Sequence, residues 1–313
     1  MRIAFNTQPD SLVNQLGTLG SQQYRLQNQV ATGKRISQLA DDPAAMRHAL
    51  DLQAQDSRLA QYRQNIVSLQ ARATSSYTAI QGLQKVSVRA GEIATLADGT
   101  KSAAELQSYA TEVTQLIQQG VQLMNRQHQG DYLFGGTQSA QPPYVVSTDA
   151  DGNITGVSYQ GNASVPAAEI AAGATVSVQV PGANTSGSGP AGLITDSRNG
   201  ADFFNHLIAL QNHLRAGDTA SISSADTPAL AKDEDNITLQ IGANGIVQSQ
   251  LTAADSVAAT QATSLKQMIS QDSDIDLAAT LTRLSAAQTA FQAALQSGAA
   301  LISQSQSLLN YLG

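Results

Sequence analysis

Apolar residues near the start of the chain fall on alternate steps of four and three: Leu12, Leu16, Leu19, Leu26 and Val30, with Gln23 in the one gap. This spacing predicts a helix with a heptad seam. Leu277, Leu281, Leu284, Phe291, Leu295, Ile302, Leu309 and Leu312 keep the same rhythm at the other end, with Gln288, Gly298 and Ser305 in the remaining core positions. A seam is narrower than the apolar face of an ordinary buried helix, so each terminal helix should have one or two helical neighbours and no broad core. Both ends therefore read as coiled-coil partners.

Between the seams, Asp42-Pro43 reads as a helix cap followed by proline at the first helical position, where its missing N–H costs nothing. The helix it starts has a stripe through Leu52, Leu59, Tyr62, Ile66, Leu69, Ala73, Ile80 and Leu83, and Asp98-Gly99 stops it. Ser102 and Glu105 make a capping box for an antiparallel helix carrying Leu106, Val113, Ile117 and Met124. A third long helix is expected through Val247, Leu251, Ala258 and Leu265, with Gly242 and Gly245 weakening its start. Five of the eight prolines fall between Pro142 and Pro190. That region shows strand signals: "YVVST", the turn "DADGN", "ITGVSYQ", and the strict alternation of "TVSVQV". The segment "DFFNHLIALQNHL" returns to helix, with Phe203, Leu207, Leu210 and Leu214 on one face.

The expected fold is mainly α with a small β insert: an elongated rod of long antiparallel helices whose terminal helices form a coiled coil. It divides into three parts: a terminal coiled-coil domain of residues 1–40 and 275–313, a helical bundle of 41–137 and 200–274, and a β-rich insert of 138–199. The terminal seam is too narrow to hold a lone hairpin, so residues 1–40 and 275–313 are expected to order only on assembly.

Composition narrows the chemistry. Only 4% of residues are aromatic and none is Trp, so the usual lining of large pockets is scarce. The absence of cysteine removes disulfides, thiolate metal sites and cysteine nucleophiles, and suits a cytosolic chain or one exported unfolded. Neither an apolar leader nor a run long enough to span a bilayer is present, so no membrane association is expected. The net charge is −7, and a mild basic excess in residues 1–72 lacks the basic cluster or aromatic platform of a nucleic-acid surface.

Several clusters resemble chemical sites without completing one. Gly33-Lys34 has the look of a phosphate loop, but Asn28 and Arg35 stand where the motif needs Gly and Ser or Thr. Asp41 and Asp42 serve a helix start better than a catalytic dyad, and Gly33 closes the first helix with Lys34 and Arg35 at its C-terminus. Gly33, Asp41, Asp42 and Pro43 thus form a structural joint. Asp149, Asp151 and Asn153 open like a calcium loop, but Ile154 and Gln160 break the pattern, so a hairpin turn is expected. His206 and His213 share a helix face two turns apart and read as surface histidines. No catalytic residue, metal site or cofactor is expected.

Taken together, "MRIAFNTQ", "LQNQVATGKRISQLADDPAAM", "DYLFGGTQ", "DIDLAATLTRLSAAQTAFQAAL" and "SLLNYLG" resemble the flagellin superfamily. Met1-Arg2-Ile3, the Thr32–Arg35 and Asp41–Ala45 segments, and Tyr132–Thr137 are more similar to its hook–filament junction members than to filament flagellin. The resemblance implies a non-enzymatic structural role outside the cell, after type III export, in a homo-oligomeric ring. Its implied partners are a junction protein on the hook side, flagellin on the filament side, and an export chaperone on the C-terminal helix, with no nucleic acid. A filament-forming minor flagellin shares every helical feature and stays open as an alternative. A nucleic-acid-binding coiled coil is a further one.

Overall fold

Helix α1 (Thr7–Thr32) is followed by a short connection and α2 (Pro43–Leu96), which starts where the sequence supplies a cap: Asp42 Oδ1 accepts the Ala45 N–H at 3.0 Å. A computed structural model describes residues 7–38, 40–150 and 152–312, with side chains described for all of these except 7–9, 301, 302 and 304–312. The Met1-Arg2-Ile3 opening and the side chains of Ile302, Leu309 and Leu312 lie outside the described part. The Asp98 side chain accepts the Thr100 N–H beyond the end of α2. Helix α3 (Ala103–Met124) then starts with the full capping box, Ser102 bonding the Glu105 N–H and Glu105 bonding back.

Among the described residues, nine short strands come next: β1 (Gln127–His128), β2 (Asp131–Tyr132), β3 (Tyr144–Thr148), β4 (Ile154–Tyr159), β5 (Ala168–Ala171), β6 (Ala174–Val176), β7 (Ala183–Asn184), β8 (Thr195–Asp196) and β9 (Ala201–Asp202). β1–β2, β3–β4 and β5–β6 are antiparallel hairpins, and β8 lies between parallel β7 and antiparallel β9. The chain returns to helix in α4 (Phe203–Ala216) and α5 (Thr219–Ser221), passes through a π turn at Ile222–Asp226, and continues as α6 (Thr227–Ser273) and α7 (Leu277–Leu312). The architecture is mainly helical, with long helices at both ends and a small central β-containing region. Among the described residues no helix is long and apolar enough to cross a membrane.

Two compact units form. One contains Met1–Arg58 and Gln261–Gly313, the other Leu59–Thr260, and α2 and α6 each give residues to both. The core of the second unit joins Ile80, Leu83 and Ile93 of α2, Val113 and Ile117 of α3, Phe203, Leu207 and Leu210 of α4, and Leu230 and Ile237 of α6. Glycine permits two close approaches. A methyl at Gly82 would come within 2.9 Å of Leu123, and one at Gly120 within 3.0 Å of the Phe204 ring. Arg89 holds Glu112 bidentately, at 2.6 and 3.1 Å, tying α2 to α3.

Three expectations need correction. Helix α6 begins at Thr227, well before Gly242 and Gly245. Both glycines have open space around them, and burial of Leu230 and Ile237 stabilises the preceding turns. The alternating "TVSVQV" pairs only through Val176, because its partner β5 is four residues long, and Val178 instead packs with Ile66 and Leu251. His206 and His213 are not plain surface residues. His206 Nδ1 lies 2.7 Å from Asp233, and His213 Nδ1 lies 2.8 Å from Asp226, both carboxylates being buried. Those partners come from the π turn and the helix after it, so local spacing around the histidines could not reveal them. In the β3–β4 turn, Asp149 accepts the backbone N–H and side-chain amide of Asn153, while Asp151 lies outside the described residues.

The hydrogen bond to Asp233 raises the His206 imidazole above its ordinary 6.5, with Asp202 and Asp226 adding to the effect. A raised folded value means that this contribution to stability is complete below 6.5 and is lost as pH rises through the folded value. Thermal melts should therefore lose stability over that alkaline limb. The loss should be smaller in the double variant His206→Gln/Asp233→Asn, which keeps a neutral hydrogen bond. Identical pH slopes in both proteins would contradict the assignment.

Candidate functional site

The terminal helices meet through a stripe of alternating small and large side chains. On α7 the more buried positions are Thr280, Leu284, Ala287, Phe291, Ala294 and Gly298, again at steps of four and three. On α1 they are Leu12, Leu16, Leu19, Gln23, Leu26 and Val30, of which Leu26 is the most buried. The helices run antiparallel. A methyl at Gly298 would lie 2.6 Å from Leu12 Cδ2, and one at Gly20 would lie 3.7 Å from the Phe291 ring. Glycine and alanine thus let the backbones approach while leucine and phenylalanine fill the space beside them.

The register on α7 differs from the one expected. Leu277, Leu281 and Leu295 are 52%, 46% and 48% exposed in the single chain, whereas Leu284 and Phe291 join the buried stripe. The physical reason is the width of a two-helix contact. One neighbour covers one narrow stripe: Leu284, Phe291 and Gly298 lie on it as expected, and beside them it covers the flank with Thr280, Ala287 and Ala294 and leaves the flank with Leu277, Leu281 and Leu295 uncovered. Leu281 instead borders a shallow groove with Ser285, Ala286, Thr289 and Ala293. On α1, Val13 and Tyr24 are exposed as well.

The joint beside this pair is built from turns and charge. Gly33 adopts φ +69° and gives its N–H to Gln29 O at 2.8 Å, ending α1 in the left-handed conformation that glycine takes without strain. Residues 33–35 then make an antiparallel bridge with 273–275: the Arg35 N–H bonds Ser273 O at 2.7 Å and the Ile275 N–H bonds Gly33 O at 3.1 Å. Lys34 Nζ reaches Asp274 at 2.5 Å, and Arg35 reaches the Asp272 carbonyl at 2.8 Å. Asp41 accepts the N–H groups of Ser37 and Gln38, holding the turn, and Asp42 caps α2, with Pro43 as the first helical residue. Asp276 caps α7 in the same way through the Ala279 N–H at 3.0 Å.

These bonds set the local electrostatics. Backbone N–H donors hold Asp41 and Asp42 below the ordinary carboxylate range, and Lys34 does so for Asp274. Asp41 is exposed and Asp42 and Asp274 are partly exposed, so solvent screens their effect, which serves mainly to orient the chain. Reading the N-terminal segment alone missed the second half of this clasp, Asp272 to Asp276. Its signal was present: three aspartates at alternate positions, in a break between two helical patterns, supply an ion-pair partner for Lys34, a backbone acceptor for Arg35 and a cap for α7. Among the described residues no group of three or more His, Cys, Asp or Glu is placed to hold a metal ion.

The arrangement pairs the two ends of the chain and fixes the turn beside that pair. Residues 6–139 match the bacterial flagellin N-terminal helical region, and residues 232–312 match the bacterial flagellin C-terminal helical region. The chain is 27% identical over 311 residues to flagellar hook-associated protein 3 of Escherichia coli strain K12, covering 92% of this chain and 94% of that one. A structure described as a flagellar hook-associated protein of Vibrio parahaemolyticus superimposes with a TM-score of 0.64 at 19% identity, over 75% of this chain and all of that one. FlgL of Bacillus cereus gives 0.55 at 18% identity, over 70% of this chain and 99% of that one. The two matched flagellin regions together span more than half of the sequence and contain both terminal helices, and the chain belongs to the bacterial flagellin family.

Proposed function

We propose that this protein is a structural junction component of the flagellum, joining a hook-side junction protein to the flagellin filament outside the cell. The observation that carries the proposal is the second apolar stripe of α7. Leu277, Leu281 and Leu295 stand nearly half exposed beside a helix pair that already buries its own seam, and such a stripe suits a neighbouring subunit. The near full-length similarity to a hook-associated protein supports placing that neighbour in the flagellum. In this reading residues 1–40 and 275–313 assemble with copies of the same chain in a ring. Residues 41–137 and 200–274 form the supporting bundle, residues 138–199 are the variable insert, and the C-terminal helix meets an export chaperone before secretion. The seam residues named above hold subunits together, and Gly33, Asp41, Asp42 and Pro43 set the angle at which the chain leaves the seam.

Electron microscopy of a strain lacking the gene tests the role. Hooks should remain and filaments should be lost, with flagellin released into the medium. Normal filaments in that strain, or long filaments formed by the purified protein alone, would overturn the junction reading, the latter in favour of a minor flagellin.

The seam makes a sharper prediction. The double variant Leu281→Glu/Leu295→Glu changes exposed positions, so the monomer should melt as the parent does while failing to restore filaments to the deletion strain. Gly298→Leu should instead weaken the α1–α7 pair itself, because its side chain enters the space of Leu12. Limited proteolysis of the parent monomer should trim both ends before the middle of the chain, and assembly should protect them. Equal protection in the monomer would count against assembly-coupled ordering.

At the joint, Asp42→Ala removes the α2 cap and should lower the melting temperature by about 2–4 °C. Acidification acts in the same direction. The lowered carboxyls of Asp41, Asp42 and Asp274 contribute above their ordinary value of 3.8, and that contribution disappears as pH falls through their folded values. A cap variant that melts like the parent would show that Asp42 does not hold the joint.

A further inference from the structure

A groove of about 460 Å³ runs between residues 177–181 of the insert and one face of α6. Three amide side chains, Asn236, Gln240 and Asn244, lie along that face at steps of four, and all three are more than nine-tenths buried. The fold satisfies the outer two. Asn236 donates to the Gly192 and Leu193 carbonyls at 3.0 and 2.8 Å, while Asn244 donates to the Ala73 carbonyl at 3.3 Å and accepts from Gln248 at 2.6 Å. Gln240, between them, has no hydrogen-bond partner among the described residues, and its amide atoms keep accessible surface where it lines the groove. A buried amide without partners is unfavourable unless something else supplies them.

The opposite wall has unused groups of the same kind. Pairing of the alternating "TVSVQV" with β5 ends at Val176, and beyond it Val178 and Val180 still turn to the core. The backbone N–H and C=O groups of Val178, Gln179 and Val180 bond to nothing among the described residues. Residues 177–181 line the groove without a gap. Side chains of an extended chain alternate between faces, so consecutive residues border one space along a backbone edge. Such an edge is a template for a further strand. Pro181, which has no N–H, ends it. Val178, Val180, Leu239, Ala243 and Val247 make the walls apolar, and the two charged lining residues, Asp196 and Arg198, pair with each other at 2.8 Å.

We propose that this groove binds an extended, uncharged peptide segment of another protein, which pairs its backbone with residues 178–180 and turns one peptide group to the Gln240 amide. The Gln240 side chain carries a carbonyl acceptor and an NH₂ donor, the same pair as a peptide group. A peptide strand with apolar side chains at alternate positions therefore meets both walls at once. A helix is too wide, at about 10–12 Å, and has its backbone groups bonded internally. A charged ligand would find the counter-ions of the lining already paired. A second folded copy is a poor match, because its described strands are paired with one another and its own residues 178–180 stand beside its own α6. The occupant is thus a segment that has no structure of its own before it binds.

Amide NMR and hydrogen exchange of the full chain, with the capped peptide acetyl-Gly-Val-Thr-Val-Thr-Gly-amide as probe, test this. In the free chain the amides of residues 178–180 should exchange fast. The peptide should shift those amides and the Gln240 side-chain amide, and should slow exchange at residues 178–180. The same peptide with both valine N–H groups methylated should bind about tenfold more weakly. Gln240→Leu should bind the probe about fivefold more weakly, yet melt at the parent temperature or above because the unpartnered amide is gone. Ala243→Phe, at an exposed position in the groove lining, should melt as the parent does and lose the probe. The proposal fails if the probe moves none of these amides, if the methylated peptide binds equally well, or if either variant binds as the parent does. It fails equally if residues 178–180 are protected in the free chain or Gln240→Leu melts markedly lower, since the fold would then supply the partner. Protection that rises with protein concentration alone would make the occupant a second copy and overturn the assignment.

Discussion

A helix buries only as wide a stripe as its neighbours cover, and this constraint governs the chain from end to end. In the unit centred on Ile80, Leu83 and Ile117, α2 meets α3, α4 and α6, and several faces are used at once. In the unit that holds the termini, α1 and α7 have each other along one narrow line, so apolar residues beyond that line stay in water. The same alphabet of Ala, Leu and Gln gives a self-sufficient core in one place and an incomplete surface in the other. Neighbour number is what differs.

The incomplete surface and the clasp belong together. Asp274 and Lys34 lie at the ends of the two terminal helices nearest the joint, and the antiparallel bridge between 33–35 and 273–275 fixes where α1 and α7 begin their contact. Register is thus set by hydrogen bonds at one end, while the seam itself, rich in small residues, tolerates sliding less because Leu12 must meet Gly298. Polar groups also define arrangement in the other unit. Asn236 spans to the Gly192 and Leu193 carbonyls, and the two histidine–aspartate pairs fix α4 against the π turn and α6, where apolar contacts alone would leave several helix rotations close in energy.

Features written by neighbours in sequence were legible before the structure. The Asp42 cap, the Ser102–Glu105 box, the β3–β4 hairpin and the apolar face of α4 each depend on residues within a few positions of one another. Features written by distant residues were not. The α7 stripe could be drawn through Leu281 and Leu295 or through Ala287 and Ala294 with the same periodicity, both sharing Leu284, Phe291 and Gly298, and only the placement of α1 decides which flank is covered. The two-residue strands β7 to β9 carry no alternation to detect. The role of Asp272 to Asp276 depends on Lys34, Arg35 and the start of α7, which the fold places beside it.

The π turn at Ile222–Asp226 holds one residue more than an α-helical turn would. Each helical residue advances the azimuth by about 100°. That extra residue therefore sets the rotational phase of α6, and with it the directions in which Asp233 and Asn236 point. Length variation at this turn is not a local event. Losing one residue would turn Asp233 away from His206, and Asn236 away from the insert carbonyls, with no contact residue altered in identity. Homologues whose lengths differ across this turn should consequently carry different polar partners on the facing surface of α4.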